Sequence, residues 1–394
     1  MNERGITLLL AGDVMTGRRV DQIRGHPGDP ALAESHVRDA RTYVELAEKV
    51  HGRVPAPVDP PYIWGDALPL IERLAPDAIV VNLETAVTTS AEFCADKDIH
   101  YRMHPRNVGC LAAARIDLCA LANNHMLDFG RAGLVETLDT LAAAGITTVG
   151  AGRDLEEACR PARIRAGLRG AVLAFACGSV SSGIPEDWAA GPSLPGVNLL
   201  TDLSSATADA LTEPICRYKR PGDVVVGSIH WGSNWGFEVP PEHVAFAHRL
   251  IVGGVDVIHG HSSHHVRPIE VYRGKLILYG CGDLVTDYEG IHGYEAWRGD
   301  LGVVYFARVA ADDGTLVALQ LAPMRAIKLR LGRAQPSDAA WLADTSTGSV
   351  AHSGRTSAQR RWRSAHARLR WARNARGLGP KGRRTCDDAK VKKR

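Results

Sequence analysis

Short runs of apolar residues, each ended by glycine or a polar residue, recur along most of the chain and predict β-strands. The predicted strands are Ile6–Ala11, Ala78–Asn82, Leu118–Ala122, Thr147–Val149, Val172–Ala176, Val224–Ile229, Val255–His259, Leu276–Tyr279 and Val303–Val309. Several intervening segments carry apolar residues at three- and four-residue spacing, which is typical of helices with one buried face. These predicted helices are Ala67–Leu74, Gly133–Ala144 and Glu242–Val252. The alternation predicts the α/β class, with helices packed on a sheet.

Two stretches interrupt this alternation. Residues 26–61 are rich in proline, glycine and charge, and residues 178–200 form a second long loop. A loop of this length in a compact domain is commonly a functional cap, although a tolerated surface insertion would have the same composition. Farther along, the segments Val266–Tyr272 and Lys275–Tyr279 flank Arg273-Gly274 and predict a hairpin at one side of the sheet.

Formal charge is distributed unevenly along the 394 residues. The whole chain carries +3, but residues 355–394 hold 15 Lys and Arg against 2 Asp and Glu, a charge of +13. The preceding 354 residues hold 32 Lys and Arg against 42 Asp and Glu, a charge of −10. We therefore expect one domain over residues 1–330, with 26–61 as an insertion, and a separate basic tail over residues 336–394.

The tail carries a helical pattern of its own. Trp362, Ala365, Leu369 and Ala372 recur at helical spacing among arginines. This predicts either a basic amphipathic helix or a solvated chain end.

No aromatic-rich or other recognised nucleic-acid module accompanies the basic residues, so we do not expect nucleic acid as a partner.

Composition excludes several classes of protein. With 45% hydrophobic and 23% charged residues, the chain is not collagen-like, coiled-coil or wholly disordered. No run of 18 apolar residues occurs, so no membrane span is expected. The eight cysteines form no Cys-x-x-Cys pair, which favours a reducing compartment over a disulfide framework. We expect a soluble cytoplasmic protein.

Metal-ligand side chains concentrate in five segments at the ends of predicted strands. The segments are Gly12–Arg18, Asn82–Thr85, Asn123–Asp128, His230–Gly232, and His259–His265 with the following Gly282-Asp283. Side chains that follow parallel strands meet in a crevice at the carboxyl ends of the sheet, so all five could converge there. Carboxylate, amide and imidazole donors together suit Mn, Fe, Zn or Ni, and the oxygen donors alone suit Ca or Mg.

Each segment has a structural alternative when it is taken singly. An aspartate after a strand is commonly a helix cap, and Asn123-Asn124-His125 has the composition of a turn. The four histidines between His259 and His265 are harder to explain by packing, because burying unpaired imidazoles is costly. The ordered set favours a metal or acid–base site.

In order and spacing, these motifs resemble the CapA family, named for capsule-associated poly-γ-glutamate synthesis proteins, within the calcineurin-like metallophosphoesterase superfamily. The resemblance covers roughly residues 5–325. It implies a calcineurin-like layered α/β sandwich with a divalent cation (Ca, Mn, Zn or Mg) at the carboxyl ends of the strands. Carried onto this chain, the implied metal ligands are Asp13, Glu84, Asn124, His230 and His261. His125 would be the catalytic histidine, oriented by Asp128, and His264 would be either a ligand or a base.

The chain departs from that family at positions that would determine which reaction the site catalyses. Asn82-Leu83-Glu84 stands where bimetallic phosphoesterases carry a Gly-Asp motif with a bridging aspartate, and Asp283 adds a carboxylate close to the histidines. Two His/Asp pairs, His125–Asp128 and His264–Asp283, around one cation would allow a proton to leave one face of a Cα and return to the other.

We therefore favour a metal-dependent peptide epimerase, an isomerase similar to those of lasso peptide (RiPP) biosynthesis. Its catalytic residues would be His125, Asp128, His264 and Asp283, and its partner would be a ribosomally made precursor peptide. One alternative is a metallophosphoesterase that hydrolyses a phosphate ester with two metal ions. The other is a non-catalytic protein of capsule or poly-γ-glutamate assembly, whose basic tail would hold the acidic polymer.

Overall fold

The computed structural model describes residues 5–166, 170–347 and 369–371. In these ranges the strands are β1 (Gly5–Val14), β2 (Ala78–Leu83), β3 (Ala86–Val87), β4 (Arg102–Met103), β5 (Leu118–Ala120), β6 (Thr147–Val149), β7 (Ala151–Gly152), β8 (Ala162–Arg165), β9 (Ala171–Ser179), β10 (Gly196–Val197), β11 (Leu199–Leu200), β12 (Asp223–His230), β13 (Val257–His261), β14 (Ile269–Tyr272), β15 (Lys275–Leu278), β16 (Asp283–Val285), β17 (Leu301–Ala310), β18 (Leu316–Ile327), β19 (Arg330–Arg333) and β20 (Leu369–Trp371). The α-helices are α1 (Arg19–Gln22), α2 (Ala40–His51), α3 (Ala67–Leu74), α4 (Gly109–Ala113), α5 (Gly130–Ala143), α6 (Leu155–Cys159), α7 (Ser205–Tyr218), α8 (Pro241–Val252) and α9 (Pro336–Ser346). Every predicted strand and helix of the domain occurs, with boundaries that differ by a few residues.

The first large sheet, sheet 1, has the strand order β19-β18-β17-β1-β2-β5-β6. The part β1-β2-β5-β6 is parallel, while β17, β18 and β19 run antiparallel to their neighbours. β16 pairs in parallel with the last residues of β1, which places Asp13 opposite Asp283. Because parallel strands end at the same edge, the residues after β1, β2 and β5 reach one crevice.

The second large sheet, sheet 2, has the strand order β11-β9-β12-β13-β15-β14, and β8 pairs antiparallel with β9. β9, β12, β13 and β15 are parallel, whereas β14 and β15 form the predicted hairpin. At its turn, Arg273 has a φ of 50° and Gly274 a φ of 79°. Two positive φ values in a two-residue turn match the right-handed twist of the flanking strands.

The two sheets pack face to face, with helices on both outer sides. In β9, Val172 and Ala174 lie in the core that also contains Leu8 of β1, and α3 and α5 belong to this core. The alternate residues Leu173 and Phe175 pack with α7 and α8 in a separate core. Each fully buried Leu or Phe side chain contributes about 1.5–3 kcal/mol. The helix–sheet–sheet–helix order confirms the predicted layered α/β sandwich.

The insertion over residues 26–61 contains a helix and is joined to the body by buried charges. α2 begins after Asp39, whose carboxylate accepts a hydrogen bond from the Arg41 N–H at 2.9 Å. Ahead of it, Glu34 pairs with Arg18 at 2.8 Å, and both side chains are at most 3% exposed. Opposite charges attract strongly where water is excluded, so this pair holds the insertion beside the end of β1.

The C-terminal region is described in two pieces. α9 lies against the body, where its Asp338 accepts a hydrogen bond from Arg298 at 2.8 Å. Leu369–Trp371 form β20, which pairs in parallel with Leu319–Leu321 of β18. The rest of the predicted tail helix, including Trp362, Ala365 and Ala372, lies outside the described residues. Of the helices in the described ranges, none combines the length and apolar character that crossing a membrane requires.

Candidate metal centre

The carboxyl ends of β1, β2, β5, β12 and β13 meet in one buried crevice between the two sheets. A bulge between Ala11 and Asp13 shifts the register of β1 against β2 and turns Asp13 into this crevice. Gly12 makes the arrangement possible, because a Cβ there would lie 1.9 Å from the carbonyl oxygen of Gly282. Its absence lets β16 approach β1 and brings Asp283 beside Asp13.

Two groups of three side chains in the crevice could each hold a metal ion, and both contain Asp13. The first group is Asp13, His230 and His261, and the second is Asp13, His264 and Asp283. Within each group the ligand atoms lie within 4.8 Å of one another. All five side chains are buried; β12 and β13 of sheet 2 supply His230 and His261, and the loop after β13 supplies His264. An aspartate with two oxygens can serve both groups at once.

The carboxylates of the crevice fit a bound cation. Asp13 Oδ1 accepts a hydrogen bond from Asn82 Nδ2 at 2.7 Å, whereas Asp13 Oδ2 and Glu84 Oε2 are buried without a hydrogen-bond partner among the described residues. Burial and the neighbouring Asp283 raise the pKa of Asp13 to about 7. Burial and Asp13 likewise raise the pKa of Glu84. Clustered carboxylates of this kind need a positive charge to remain ionised, and a divalent cation would supply it.

His230 and His261 are oriented for a common ion. Their Nδ1 atoms lie 2.8 Å apart. Two nitrogens bound to one Zn²⁺ at about 2.0–2.1 Å are separated by about 3 Å, so the spacing suits shared ligation. Behind them, Ser228 Oγ lies 2.9 Å from His261 Nε2 and 3.0 Å from His259 Nδ1. Burial lowers the pKa of both His230 and His261, which favours the neutral form that binds metals.

Two predicted ligands, Asn124 and Glu84, lie in the crevice in different positions. Asn124 Oδ1 is 3.0 Å from His230 Nε2, so this amide orients a candidate ligand. Glu84 Oε1 is 3.7 Å from His125 Nε2 and belongs to neither three-residue group. The structure thus brings all five sequence-predicted ligands into one site, with Asn124 behind His230.

The predicted pair His125–Asp128 lies at the rim of the crevice. His125 Nδ1 is 2.7 Å from Asp128 Oδ2, and the same oxygen accepts a hydrogen bond from the Tyr101 N–H at 2.7 Å. The other carboxylate oxygen accepts a hydrogen bond from Lys97 Nζ at 2.5 Å. Burial, opposed by Asp128 but assisted by Lys97, lowers the pKa of His125 to about 4. The imidazole is therefore neutral at pH 7, with Nε2 facing Glu84.

The second predicted pair, His264–Asp283, lies inside the crevice. His264 Nδ1 is 2.9 Å from Asp283 Oδ1, and Thr286 Oγ1 donates to the other carboxylate oxygen at 3.2 Å. Burial lowers the pKa of His264, but the charges of Asp283 and Asp13 outweigh it and raise the pKa above its usual value. A cation between Asp13 and Asp283 would take over the role of that proton.

The four histidines of the segment His259–His265 have two kinds of role, as candidate metal ligands and as structural hydrogen-bonding groups. His261 and His264 belong to the candidate metal groups, and His259 Nε2 is 2.8 Å from the Ala11 carbonyl oxygen. His265 Nε2 accepts a hydrogen bond from the Gly236 N–H at 3.1 Å, which fixes a loop.

Several residues around the crevice carried no motif in the sequence. Lys97 and Tyr101 come from the segment around β4, and Tyr288 from the loop after β16. Loop residues without periodicity or spacing give no sequence signal, and only the tertiary fold brings these three to the site. Trp235 also lies beside His264, with ring centroids 5.4 Å apart.

The chain matches one protein family over most of its length. Residues 7–288 match the family described as bacterial capsule synthesis protein PGA_cap. A probable polyglutamine synthesis accessory protein of Mycobacterium tuberculosis is 51% identical over 341 residues, which are 86% of this chain and 90% of that protein. The capsule biosynthesis protein CapA of Bacillus anthracis is 27% identical over 82% of this chain and 68% of its own length. The PGA biosynthesis protein CapA of Bacillus subtilis is 30% identical over 54% of each chain.

Proposed function

Because the chain belongs to the bacterial capsule synthesis protein PGA_cap family, we propose that it is a metal-dependent accessory enzyme of polyglutamate-type polymer synthesis that cleaves or transfers amide bonds. The names of its relatives, which refer to polyglutamine, PGA and capsule synthesis, support the polymer. The observation that carries the chemistry is Asp13, a buried carboxylate shared by two candidate metal groups beside the His125–Asp128 pair.

The types of ligand atom narrow the choice of metal ion. Three imidazoles with two carboxylates favour Zn, Mn or Fe over Ca and Mg, which prefer oxygen ligands. Asp13, His230 and His261 would hold one ion, and Asp13, His264 and Asp283 a second. An ion held there would supply polarisation of a substrate carbonyl and stabilisation of the negative charge on its oxygen.

His125 is suited to move a proton at Nε2. Its Nδ1 is tied to Asp128, which fixes the tautomer with the lone pair on Nε2. Nε2 accepts the proton of an attacking water or amine and delivers it to the nitrogen that leaves when the C–N bond breaks. Lys97 keeps Asp128 ionised, because the ammonium contacts the carboxylate directly.

Peptide epimerisation is a second candidate, and the two His/Asp pairs favour it. His125 and His264 each have a carboxylate on Nδ1, as two acid–base groups on opposite faces of a Cα require. In this case His264 has to exchange protons, which it cannot do while its ring nitrogen binds a metal. Epimerisation and a second bound ion therefore exclude each other.

One incubation distinguishes these reactions. Purified protein loaded with Zn²⁺ or Mn²⁺ is mixed with glutamate oligomers of defined length in D₂O, with an aryl phosphate as a parallel substrate, and followed by mass spectrometry. Shortened or lengthened oligomers support amide chemistry, and a gain of 1 Da per residue at constant length supports epimerisation. Both activities should vanish with chelator and in Asp13→Asn, but persist in Asp117→Asn. Asp117 is a matched control, since its carboxylate accepts the Ile79 N–H at the start of β2 and belongs to neither candidate metal group.

The proposal fails if the metal-loaded protein leaves every oligomer unchanged. Turnover of the aryl phosphate alone would then assign a phosphoesterase. Metal analysis of wild-type protein gives an independent count: two ions per chain favour the amide reaction, and one ion favours epimerisation.

A further inference from the structure

Two tyrosines that the proposed reaction does not yet use flank the crevice. The ring of Tyr101 lies 4.3 Å from the ring of His125, and the ring of Tyr288 lies 4.9 Å from that of His264, measured between centroids. Each tyrosine therefore packs on one of the two histidines that are paired with a buried aspartate.

Both tyrosines are held by the carboxylates of those pairs. The Tyr101 N–H donates to Asp128 Oδ2 at 2.7 Å. The Tyr288 N–H donates to Thr286 Oγ1 at 3.2 Å, and this hydroxyl in turn donates to Asp283 Oδ2 at 3.2 Å. The backbone of each tyrosine is thus tied, directly or through Thr286, to the aspartate that orients the neighbouring histidine.

A buried ion pair contacts the Tyr101 ring and includes the residue next to Tyr288. Arg18 contacts Asp287, the residue before Tyr288, and Asp287 also lies 3.0 Å from Arg19 Nε. The Arg18 guanidinium carbon lies 5.1 Å from the centre of the Tyr101 ring. Groups locked in this way do not reorganise during a reaction, which is the condition for strong electrostatic stabilisation.

Their hydroxyls differ from those of four other tyrosines in the described ranges. Tyr43, Tyr62, Tyr279 and Tyr305 each donate a hydrogen bond through Oη. Tyr101 and Tyr288 make no such bond to any described residue, although Tyr101 is only 1% exposed. Neither Oη is among the fully buried atoms that lack a partner, so each hydroxyl is open to water or to a ligand.

The charges around the phenols keep them protonated. Burial raises the pKa of Tyr101 and Tyr288 well above the usual value, and Glu84 adds to the effect on both. Both hydroxyls therefore lie within the influence of one crevice carboxylate and are available as hydrogen-bond donors at neutral pH.

We propose that the Tyr101 and Tyr288 hydroxyls form a donor pair that binds the carbonyl oxygen of the substrate amide. This assignment rests on the proposed function, because it requires an amide substrate. Negative charge grows on that oxygen when a nucleophile adds to the carbonyl, and equally when a Cα proton is removed. Two fixed donors stabilise this charge in either case, and the hydroxyl protons stay on the tyrosines throughout.

Tyr101→Phe and Tyr288→Phe remove only the hydroxyls and test the pair. Removal of one such donor typically lowers kcat by about 10²–10³-fold. We expect a loss of this size in each variant, a smaller change in KM, and metal content equal to wild type. Tyr62→Phe is the control, since it removes a hydroxyl that donates to the Lys328 carbonyl at 2.8 Å, away from the crevice. Wild-type kcat in both crevice variants would overturn the assignment.

A binding measurement separates this inference from the proposed function. If the wild type does not act on glutamate oligomers, the proposed function fails by itself. Inorganic phosphate then serves as the probe oxyanion in calorimetry. Weaker phosphate binding in the double Phe variant than in wild type and Tyr62→Phe would keep the donor pair. Equal binding in all three would overturn it.

Discussion

His125 and His264 are paired alike and surrounded differently. In each, Nδ1 lies within hydrogen-bond distance of a buried aspartate, at 2.7 Å from Asp128 and 2.9 Å from Asp283. Asp128 also accepts a hydrogen bond from Lys97 Nζ, which lies 3.3 Å from His125 Nδ1, so its charge is already compensated by a cation beside the histidine. Asp283 has a second carboxylate opposite it in the next strand instead.

That difference reverses the direction in which the two pKa values move. Burial lowers the pKa of His125 to about 4, and Lys97 adds to the fall. At His264 the charges of Asp283 and Asp13 overcome burial and raise the pKa. The His125–Asp128 pair, which has Lys97 beside it, thus offers a neutral base. The His264–Asp283 pair, which has Asp13 beside it, favours a positive charge. We infer that His125 moves protons and that His264 serves the cation.

Exchanging each histidine for alanine gives the largest expected effects. His125→Ala should lower turnover of the glutamate oligomers by about 10²–10⁴-fold, because the proton carrier is lost, and leave the metal content unchanged. His264→Ala should lower the metal content by at least one ion per chain, measured by inductively coupled plasma mass spectrometry. Equal metal loss in both variants, or in neither, would contradict the division of roles.

Substituting the aspartate of each pair tests the different roles of His125 and His264 with smaller changes. Asp283→Asn should weaken metal binding by about 10–100-fold, since it alters a carboxylate at the ion. Asp128→Asn should leave the metal dissociation constant within twofold of wild type and reduce kcat instead. A competition titration with a chromophoric chelator measures both constants. Weaker metal binding in Asp128→Asn would show that the two pairs do not differ in the way proposed.

Much of this site could be predicted from the sequence, because its ligands follow apolar strands. Asp13 and His230 lie at the ends of β1 and β12; their positions after apolar strands indicated that they could converge, and the family resemblance named them as ligands. Boundaries were less predictable. The predicted strand Val255–His259 begins and ends two residues before β13 (Val257–His261), because Gly260 extends the strand close to Leu278 instead of breaking it.

Three residues that reach the crevice from irregular segments, Lys97, Tyr101 and Tyr288, could not be predicted. Lys97 lies in a segment without a regular element, and nothing in its neighbourhood distinguishes it from an exposed charge. The strand β18 was also missed, because Pro323 within it argues against a strand. In the structure this strand pairs with β17 along most of its length.

Lys97→Met sharpens the comparison by removing the group that distinguishes the two pairs. Loss of the ammonium should raise the pKa of His125 from about 4 toward its ordinary value. His125 is active when neutral, so its protonated fraction at pH 5–6 grows and the acid limb of the activity profile moves to higher pH. We expect a loss of kcat at pH 5.5 and a smaller loss at pH 8, because burial, the largest cause of the low pKa, remains. Lys97→Arg should recover part of the difference, whereas identical losses at both pH values would assign Lys97 a packing role.

The smallest expected effect comes from substituting His243, which serves as a reference for the two His/Asp pairs because no carboxylate among the described residues is paired with it. It is 2% exposed, stacks on Trp231 with ring centroids 4.6 Å apart, and its Nδ1 has no hydrogen-bond partner among the described residues. Burial, assisted by Arg267, lowers its pKa to about 4. The unfolded chain then binds a proton at His243 below about pH 6.5, whereas the folded chain binds it only below about pH 4. Stability therefore falls as the pH drops through this window.

His243→Phe keeps the stacking and removes the titration. The loss of unfolding free energy between pH 7.5 and pH 5, measured by urea titration of metal-free protein, should shrink by about 1–2 kcal/mol. Exposed His36→Gln should leave it unchanged, and an equal loss in wild type and His243→Phe would show that burial does not control this histidine.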